Sequence, residues 1–518
     1  MTNGAPESPT PPGPPSPGRG GERATTLGAV AARLPGSRLI GEPSTRVAHL
    51  FHDSRRVEPG TLFAARRGKT SDGRQFVGAA AHAGAVALLT DDEPLALLSG
   101  LPALLVPDVA RALGAAAAAV YGEVGEGLEV VGVTGTNGKT TTTHLIASAL
   151  ATCGARPALL GTLGCHFGGE TLPSAHTTPE ADELARRAAW LRARGATHLV
   201  MEVSSHALAL GRVEGVRFRA AGFLNLTQDH LDLHGTMQAY GEAKARLFTD
   251  FAPAASVVNV DDPFGLALAG RAKGELFRVS PSGARPDARL SLGAWASSPE
   301  GSRAVARSEG REVALETPLL GEHNRENLAV ALGLALALGL GPDDAARALA
   351  RAPQVPGRLE RCSGPGDDLA VVVDYAHSPD ALARVLATLR PLAAGGLVCV
   401  FGCGGDRDPL KRPLMGEAVG RGADRAILTN DNPRGEDPRA IADATAPGLE
   451  RTGTPYEIVL DRAEAIERAV ASAPAGALVL IAGKGHETYQ LIGGVSTPFD
   501  DRVEARRALE RRRARRAR

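Results

Sequence analysis

The feature that most constrains this chain is the segment 132–143, GVTGTNGKTTTT, which directly follows the apolar run 128–131. A strand, a glycine-rich turn and a helix start, in this order, aim backbone N–H groups at an anion such as a nucleotide phosphate. Lys139 adds a positive charge, and Mg²⁺ accepts hydroxyl ligands such as Thr140. Residue Val133 stands where the common phosphate-binding loop has glycine, so an ordinary glycine-rich turn is the alternative. The candidate nucleotide-binding residues here are Gly135, Thr136, Asn137, Gly138, Lys139, Thr140 and Thr141.

The composition is that of a globular protein, with 22% charged and 43% hydrophobic residues among 518. Lys plus Arg and Asp plus Glu both number 58, so the net charge favours neither nucleic acid nor an anionic membrane as a partner. The five cysteines form no CxxC pair, which argues against a zinc site or a disulfide framework. This cysteine usage predicts that the protein is located in the reducing cytoplasm. The longest apolar stretch, 328–340, is too short to span a bilayer.

The length predicts about three domains, which changes in composition delimit. Residues 1–24 are rich in Pro, Gly and Ser and predict a disordered tail. We expect an N-terminal domain at 25–125, a central domain at 126–355, a third domain at 356–505 and a basic tail at 506–518. The Arg-rich tail predicts a solvated helix, with a nucleic-acid-binding arm as the alternative.

Apolar strand patterns alternate with helical patterns in all three domains, which predicts an α/β fold. In the central and third domains the strands are continuous apolar runs, as in parallel sheets covered by helices on both faces. Residues 280–318 contain short alternations and are richer in Ser and Gly, which predicts antiparallel strands in this segment. The predicted strands are 47–52, 62–65, 87–90, 130–133, 158–160, 198–201, 221–224, 256–260, 369–373, 397–401, 425–429, 458–460 and 478–482.

Polar residues follow six of these strands directly, and ligands of open α/β sheets bind beyond the carboxyl ends of strands. Glu202 follows one strand and is a candidate ligand of the Mg²⁺ bound by Thr140, unless it is an exposed loop carboxylate. His230, in DHLDLHG, is a candidate ligand of a second Mg²⁺, although magnesium prefers oxygen and a loop-packing histidine is the alternative.

Lys244 lies in a predicted helix over 237–248, four residues from both Tyr240 and Phe248. A lysine in this apolar stripe is expected to be buried, which lowers its pKa and leaves an amine that reacts with CO₂ to give a carbamate. That carbamate would be a carboxylate able to bind magnesium. The alternative is a surface lysine whose stem covers apolar neighbours.

Further candidates lie towards the C-terminus. Asn324 is a candidate for hydrogen bonding to the edge of the adenine ring. The alternative is that it caps a helix. Arg407, Asn432, Arg434 and Glu487 together predict recognition of an amino acid with more than one carboxylate, because guanidinium groups bind carboxylates and Glu487 suits an ammonium. A structural salt-bridge network is the alternative for this set. Residues that are predicted to grip the sugar, base and γ-phosphate are Arg358, Asp374 and His377.

Ten motifs occur in an order that resembles the Mur ligases, over about residues 25–505. Each motif alone is moderately specific, whereas the ordered set is very specific. The motifs are GTNGKTT, MEVSSH, DHLDLHG, EAK, EHNREN, GRLE, DYAHSPD, GCGGDRD, DNPR and GKGHETYQ.

The resemblance implies a UDP-binding N-terminal domain, a central ATPase and a Rossmann-like amino-acid-binding domain. It implies an ATP-dependent ligase of peptidoglycan synthesis that adds meso-2,6-diaminopimelate to UDP-N-acetylmuramoyl-L-alanyl-D-glutamate through an acyl phosphate. Two Mg²⁺ ions, CO₂ as the carbamate of Lys244, and a monomer are also implied, with Lys139, Lys244 and His230 as catalytic residues. For the UDP substrate the residues are Ser54, Arg55, Thr177, Thr178, Ser204 and Arg212, and for the amino acid Arg407, Asp431, Asn432, Pro433, Arg434, Gly483 and Glu487.

The DNPR motif implies diaminopimelate rather than L-lysine, because Arg434 supplies a partner for the additional carboxylate. The family often has a polar residue two before Arg212, where this chain has Leu210, which puts one substrate hydrogen bond in doubt. The alternative hypotheses for the function are the same reaction with L-lysine as substrate, a ligase similar to folylpolyglutamate synthetase, a non-catalytic nucleotide-binding protein and a motor-type ATPase.

Overall fold

The computed structural model describes residues 25–68 and 71–516, so the predicted tail at 1–24 lies outside the described residues. The chain divides into two compact units. The first contains the described residues up to 292 together with 306–313 and 326–349, and the second contains 293–305, 314–325 and the described residues from 350 onwards. No helix within 25–68 or 71–516 is long and apolar enough to cross a membrane.

The strands and helices alternate through most of the chain. The strands are β1 (Thr25–Thr26), β2 (Arg38–Ile40), β3 (Arg46–Val47), β4 (His49–Phe51), β5 (Thr61–Ala64), β6 (Ala85–Thr90), β7 (Ala103–Leu105), β8 (Glu129–Thr134), β9 (Pro157–Gly161), β10 (Gly164–Phe167), β11 (Glu170–Leu172), β12 (His198–Glu202), β13 (Ala220–Phe223), β14 (Ala255–Asn259), β15 (Glu275–Ser280), β16 (Leu290–Leu292), β17 (Ala296–Ser298), β18 (Gly301–Ser308), β19 (Arg311–Thr317), β20 (Glu360–Arg361), β21 (Ala370–Asp374), β22 (Leu397–Phe401), β23 (Arg425–Leu428), β24 (Tyr456–Ile458), β25 (Leu478–Ala482), β26 (Tyr489–Ile492) and β27 (Val495–Pro498).

The α-helices are α1 (Leu27–Ala31), α2 (Val77–His82), α3 (Glu93–Leu98), α4 (Val109–Tyr121), α5 (Lys139–Thr152), α6 (Ala181–Ala193), α7 (Ser205–Ala209), α8 (Leu231–His234), α9 (Met237–Thr249), α10 (Pro263–Ala269), α11 (His323–Ala337), α12 (Pro342–Ala350), α13 (Pro379–Leu389), α14 (Lys411–Gly422), α15 (Pro438–Thr452), α16 (Arg462–Ser472) and α17 (Asp501–Arg516). Short 3₁₀ helices occupy Ser54–Arg56, Gly73–Phe76 and Arg390–Leu392.

The first unit contains two large sheets and a two-stranded sheet of β1 and β3. The smaller of the two large sheets has the order β2-β7-β6-β5-β4, in which β4 to β7 are parallel and β2 is antiparallel. The larger runs β11-β10-β9-β12-β8-β13-β14-β15-β16, and its parallel strands β9, β12, β8, β13 and β14 are almost wholly buried. Both faces of these strands are covered, as their continuous apolar sequences predict.

The second unit contains a six-stranded sheet with the order β20-β21-β25-β22-β23-β24, parallel except for β20. Apolar residues of its strands belong to two buried clusters that also take in helices α13 to α17. The fold is therefore the predicted α/β type, with three large sheets and the two-stranded pairs β1–β3 and β26–β27.

The predicted strands are confirmed, with ends that differ by at most two residues or, for 47–52, a break into β3 and β4. The antiparallel strands predicted at 280–318 are confirmed as the pairing of β18 with β16 and β17. Two hairpins, β10–β11 and β26–β27, have no counterpart among the predicted strands. Their short sequences contain glycine and alternate weakly, so they carry little periodic signal.

The Arg-rich C-terminal end forms a helix, as predicted, but it is packed. The boundary predicted between 505 and 506 falls inside α17, whose Ala505, Ala508 and Leu509 are buried in the second unit. Its arginines pair with carboxylates, including Arg512 with Asp368 at 2.7 Å. Neutralised side chains are a poor surface for phosphates, so the helix does not support the alternative of a nucleic-acid-binding arm.

A partly buried ion pair attaches the N-terminal sheet to helix α6. His52, just after β4, contacts Asp182 in α6 with Nδ1 2.9 Å from both carboxylate oxygens, and its backbone N–H also donates to that carboxylate. Burial alone would lower the pKa of His52, but the Asp182 carboxylate raises it above its ordinary value. Burial opposes ionisation of Asp182, yet His52 holds the pKa of Asp182 at about 2.

We predict that Asp182→Asn destabilises the first unit by about 2 kcal/mol, since the depressed carboxyl pKa is itself a stability contribution. That contribution is complete above the ordinary Asp pKa of 3.8 and disappears as the pH falls through about 2. The contribution of His52, whose pKa is raised, is complete below its ordinary 6.5 and disappears as the pH rises through its folded-state pKa. Urea unfolding of wild type and variant from pH 3 to 9 should therefore differ most between about pH 4 and 6.5.

The matched control is Glu242→Gln, which breaks the exposed Arg271–Glu242 pair at 2.7 Å. Exposed pairs contribute about 0–1 kcal/mol, so this variant should unfold almost as wild type does. Equal losses in the two variants, or a pH-independent loss in Asp182→Asn, would contradict the coupling between His52 and Asp182.

Candidate active site

A tight loop connects β8 to α5 and has the geometry that phosphate binding requires. The strand ends at Thr134, and the helix begins at Lys139 after a Gly138 N-cap in the left-handed region, with φ +86°. A Cβ on Gly138 would lie 1.9 Å from the Asn327 Oδ1, so only glycine fits there without displacing a neighbour. The Asn137 backbone N–H donates to the Asn225 Oδ1 at 3.0 Å, which holds the loop in shape.

Two lysines converge on one carbonyl of this loop. Lys139 Nζ donates to the carbonyls of Gly135 at 2.9 Å and Thr136 at 3.0 Å, and Lys244 Nζ donates to Gly135 at 2.8 Å. Lys244 is 1% exposed, so the alternative of a surface lysine is wrong. Its burial, and then the charge of Lys139, lower the pKa of Lys244 well below its usual range.

Glu202 ends β12 beside the first turn of α5. Its Oε1 accepts hydrogen bonds from the Thr140 hydroxyl at 3.0 Å and from the Thr162 backbone N–H at 2.9 Å. The side chain is buried, with 2% of the residue exposed, so the alternative of an exposed loop carboxylate is wrong. A hydroxyl and a carboxylate gathered here are oxygen donors of the kind that Mg²⁺ prefers.

Three histidines lie near Tyr240 of α9. The His230 ring is 4.6 Å from that of His206 and 6.1 Å from that of Tyr240, and His234 contacts the Ser205 hydroxyl at 3.1 Å. His230 has φ +52° and a side chain that is 43% exposed. Within 25–68 and 71–516 no three His, Cys, Asp or Glu side chains are grouped to hold a metal ion by themselves. Any ion here would need oxygen ligands from a bound nucleotide as well.

A polar cluster brings together four of the predicted substrate residues. The Thr178 hydroxyl donates to the Glu202 carbonyl at 2.9 Å and accepts from the Ser204 backbone N–H at 3.1 Å, while Thr177 contacts Thr162. Arg212 donates to the Thr178 carbonyl at 3.2 Å. Candidate substrate residues from three separate segments of sequence thus lie around the end of β12.

This cluster also contains two residues that sequence reasoning did not select. Glu180 pairs with Arg212 at 2.9 Å and with Arg66 at 2.5 Å. Arg66 lies 114 positions before Glu180, and no local pattern indicates such a pairing. The other predicted substrate residues, Ser54 and Arg55, form a 3₁₀ turn in which Arg55 pairs with Asp53 at 2.9 Å.

The candidate adenine-reading residue Asn324 is buried as the second residue of α11, not at its N-cap. Its amide donates to the Leu320 carbonyl at 2.8 Å. Further along this helix, Glu326 accepts from the Asn225 amide at 2.8 Å and so supports the phosphate loop.

In the second unit, Asp374 at the end of β21 binds the backbone. Its two carboxylate oxygens accept from the N–H groups of Leu359 and Ala376, both at 2.8 Å. Burial raises the pKa of Asp374. The guanidinium of Arg358 lies 5.0 Å from the ring centre of Tyr375, and His377 contacts the Tyr375 carbonyl at 2.8 Å. Asp374 therefore shapes the loop that carries Arg358.

Two arginines of the predicted amino-acid site lack a carboxylate partner among the described residues, in contrast to most arginines of the chain. Arg434 has φ +54°, and its Nη1 donates only to the Gly405 carbonyl, at 2.7 Å. A Cβ on Gly404 would lie 3.0 Å from the Arg434 Nη1 and 3.9 Å from the Arg407 Cγ, so both arginines lie beside this glycine. For them the alternative of a structural salt-bridge network is wrong.

The other two polar residues of the set, Asn432 and Glu487, contact each other, and this contact is compatible with both interpretations. The Asn432 amide donates to the Glu487 Oε2 at 2.9 Å, and Lys484, which was not among the predicted residues, donates to the same oxygen at 3.1 Å. Asp431 is buried, and a Cβ on Gly483 would lie 2.4 Å from its Oδ2. Pro433 precedes Arg434 and is buried.

Comparisons with known proteins agree across the chain. Residues 46–121, 133–335 and 357–485 match family models described as the Mur ligase family catalytic domain, the Mur ligase middle domain, and the Mur ligase glutamate ligase domain. Relatives named UDP-N-acetylmuramoyl-L-alanyl-D-glutamate–2,6-diaminopimelate ligase include one from Gloeobacter violaceus, 44% identical over 91% of this chain and 96% of the relative. Another, from Streptomyces coelicolor, is 44% identical over 94% of this chain and 97% of the relative. A solved structure titled as the same ligase has a TM-score of 0.71 and 35% identity, covering 94% of this chain and 99% of that one.

We predict that Gly138→Ala weakens ATP binding at least tenfold, because the new methyl displaces Asn327 and the loop must leave its left-handed conformation. Isothermal titration with ATP and a slowly hydrolysed analogue measures this. The matched control is Gly154→Ala at the other end of α5, which has a similar φ of +89° but no heavy atom within 4 Å of the added Cβ. Similar losses of ATP affinity in both variants would show that backbone strain, not the shape of the loop, controls binding.

Proposed function

The chain belongs to the Mur ligase family, and on that premise we propose that it joins meso-2,6-diaminopimelate to UDP-N-acetylmuramoyl-L-alanyl-D-glutamate, with conversion of ATP to ADP and phosphate. The observation that carries this proposal is the pair of arginines, Arg407 and Arg434, without carboxylate partners among the described residues, in a chain that also contains the phosphate loop at Lys139. A phosphate loop alone predicts nucleotide binding, whereas the arginines select the second substrate.

The reaction needs an activated acid, because a carboxylate is a poor acyl donor. An oxygen of the D-glutamate carboxylate attacks the γ-phosphorus of ATP, and ADP leaves. The amine of the amino acid then attacks the acyl carbon, loses a proton and expels phosphate, which forms the amide. The protein must bring two anions together, and the Lys139 ammonium at Gly135 together with the backbone N–H groups of the loop supplies fixed positive charge for that step.

Magnesium fits the residues beside the loop. We propose that Thr140 and Glu202 hold one ion and that His230 and Lys244, as its carbamate, hold a second. Bound magnesium would neutralise phosphate charge and polarise the transferring group. A neutral buried amine is the form that reacts with CO₂, and the pKa direction of Lys244 favours that form at neutral pH.

For the UDP substrate we propose two contact regions. Ser54 and Arg55 contact the uridine diphosphate end. The cluster of Thr177, Thr178, Ser204 and Arg212 binds the muramoyl dipeptide, with Glu180 orienting Arg212 through their 2.9 Å ion pair. In this proposal the dipeptide's carboxylate lies near Glu202 and the phosphate loop, which is supported by the hydrogen bond from the Thr178 hydroxyl to the Glu202 carbonyl.

The three large sheets support a division into three domains. We propose a UDP-binding domain at 25–125, an ATP-binding domain at 126–355 and an amino-acid-binding domain from 356 that continues through α17. The five cysteines are all free thiols, which supports a reducing compartment such as the cytoplasm.

The rival of a folylpolyglutamate-synthetase-like ligase accounts for less of the chain. It would share the ATPase but would not need the N-terminal sheet or the DNPR loop. Here the Mur ligase match at residues 46–121 covers strands β4 to β7 of that sheet, and relatives named as diaminopimelate ligases align over more than 90% of the chain.

We predict that ADP release requires the UDP-dipeptide and an amino acid together, and that diaminopimelate is strongly preferred over L-lysine. Arg434→Ala should raise the KM for diaminopimelate by about 10- to 100-fold, since a hydrogen-bonded charge pair contributes about 1.5–3 kcal/mol. The KM for ATP should change little. Coupled-enzyme kinetics with each substrate varied in turn measures both constants.

The control for this prediction is Arg439→Ala, which removes an exposed arginine paired with Asp443 one turn along α15. It should leave all three KM values near those of wild type. Comparable or better turnover with L-lysine in the wild-type enzyme would refute the assignment of diaminopimelate.

We predict that Lys244 takes up CO₂. Wild type supplied with ¹³C-bicarbonate should give a carbamate carbonyl resonance in ¹³C NMR that Lys244→Met lacks. The exposed Lys273 provides the control, because Lys273→Met should keep the resonance. A spectrum without any Lys244-dependent signal in the presence of Mg²⁺ and nucleotide would contradict the carbamate.

A further inference from the structure

We propose that Lys484 is a positioning residue that fixes Asn432 and Glu487 in the orientation which binds the amino-acid substrate. This inference rests on the proposed function, because it concerns the same amino-acid site. Lys484 lies in the loop after β25 and contacts both residues, although nothing in its local sequence other than the GKGHE motif singles it out.

The three side chains form a closed triangle of hydrogen bonds. Lys484 Nζ donates to the Asn432 Oδ1 at 3.0 Å and to the Glu487 Oε2 at 3.1 Å. The Asn432 Nδ2 donates to the same Glu487 oxygen at 2.9 Å. Because each member contacts both others, none of the three can rotate without breaking two hydrogen bonds.

The triangle is buried at its lysine corner. Lys484 is 0% exposed, whereas 19% of the Glu487 side chain remains exposed. Burying an ammonium group is costly unless it is paired, and an apolar residue of similar volume often stabilises a fold as well or better. A contribution to stability therefore does not explain why a lysine is buried here. A role in holding Asn432 and Glu487 in a fixed orientation does explain it.

The triangle determines which atoms face the substrate. The Asn432 Oδ1 accepts from Lys484 and also from the Leu491 backbone N–H at 3.0 Å, which fixes the amide orientation. The Glu487 Oε2 is occupied twice, while no residue of 25–68 or 71–516 donates to its Oε1. We infer that Oε1 accepts the ammonium of the substrate and that the second N–H of Asn432 donates to a substrate carboxylate.

The neighbouring backbone shows the same constraint. Arg434 adopts φ +54°, which is unfavourable for arginine, and its backbone N–H donates to the Leu491 carbonyl at 3.0 Å. The Gly493 N–H donates to the Arg434 carbonyl at 2.7 Å. Hairpin β26–β27 thus holds Arg434, while Lys484 holds Asn432 and Glu487, and the three recognition groups are fixed before substrate arrives.

The test is steady-state kinetics on the full-length enzyme with Lys484→Met, and with Lys273→Met as the exposed-lysine control. Losing the charged hydrogen bonds should raise the KM for diaminopimelate by about 10- to 100-fold while the KM values for ATP and UDP-dipeptide stay within about twofold. Lys273→Met should match wild type. A uniform rise in all three KM values, or an unchanged KM for diaminopimelate, would overturn the proposal.

A double-mutant cycle separates positioning from general stabilisation. If Lys484 acts through Glu487, then Lys484→Met should add less than about threefold to the KM for diaminopimelate in a Glu487→Gln background. If the two substitutions raise the KM for diaminopimelate independently, so that their fold-changes multiply, Lys484 does not act through Glu487. Should Lys484→Met fail to fold, Lys484→Arg keeps the charge but displaces it, and the same selective rise in KM is expected.

Failure of this inference can be distinguished from failure of the proposed function. A wild-type enzyme that does not use diaminopimelate contradicts the function itself. A wild-type enzyme that uses diaminopimelate while the Lys484 variants keep a normal KM contradicts only the positioning by Lys484.

Discussion

Two lysine amines meeting at one backbone carbonyl are the interaction on which the ATP-binding part of this protein depends. Lys139 comes from the loop itself, and Lys244 arrives from α9, yet both donate to the Gly135 carbonyl. The surrounding burial makes this arrangement strained electrostatically, since each charge disfavours the other. That strain is relieved by an anion between them or by conversion of the Lys244 amine to a carbamate, and both changes belong to the chemistry proposed for the site.

Around this centre, the fold supplies rigid supports from the ends of parallel strands. Glu202 ends β12 and contacts Thr140, Asn225 follows β13 and orders the loop, and Glu326 of α11 binds Asn225 in turn. The His52–Asp182 pair attaches the N-terminal sheet to α6, the same segment that carries Glu180 towards Arg212. Positions on strands and helices hold catalytic groups more accurately than flexible loops do.

Much of this could be predicted from sequence, for physical reasons that differ by residue. The β8–α5 loop follows from glycine spacing and strand pattern, and the burial of Lys244 follows from its place in the stripe with Tyr240 and Phe248. The sequence could not indicate that Lys244 donates to the Gly135 carbonyl, 109 positions away, or that Arg66 pairs with Glu180. Such contacts depend on tertiary packing. Lys484 carries no periodic signal, and only the structure gives it two partners. Both oxygens of Asp374 accept from backbone N–H groups, a use that residue type alone does not reveal, and its predicted contact with the nucleotide stays a prediction.

The central claim is that this chain activates a carboxylate by phosphorylating it before an amine attacks. The most direct measurement uses UDP-dipeptide labelled with ¹⁸O in the D-glutamate side-chain carboxylate, turned over with ATP and diaminopimelate. If an acyl phosphate forms, each inorganic phosphate released must carry one carboxylate oxygen, and mass spectrometry will find ¹⁸O in the phosphate. Unlabelled phosphate released together with the amide product would mean that ATP is hydrolysed by water and would contradict the account.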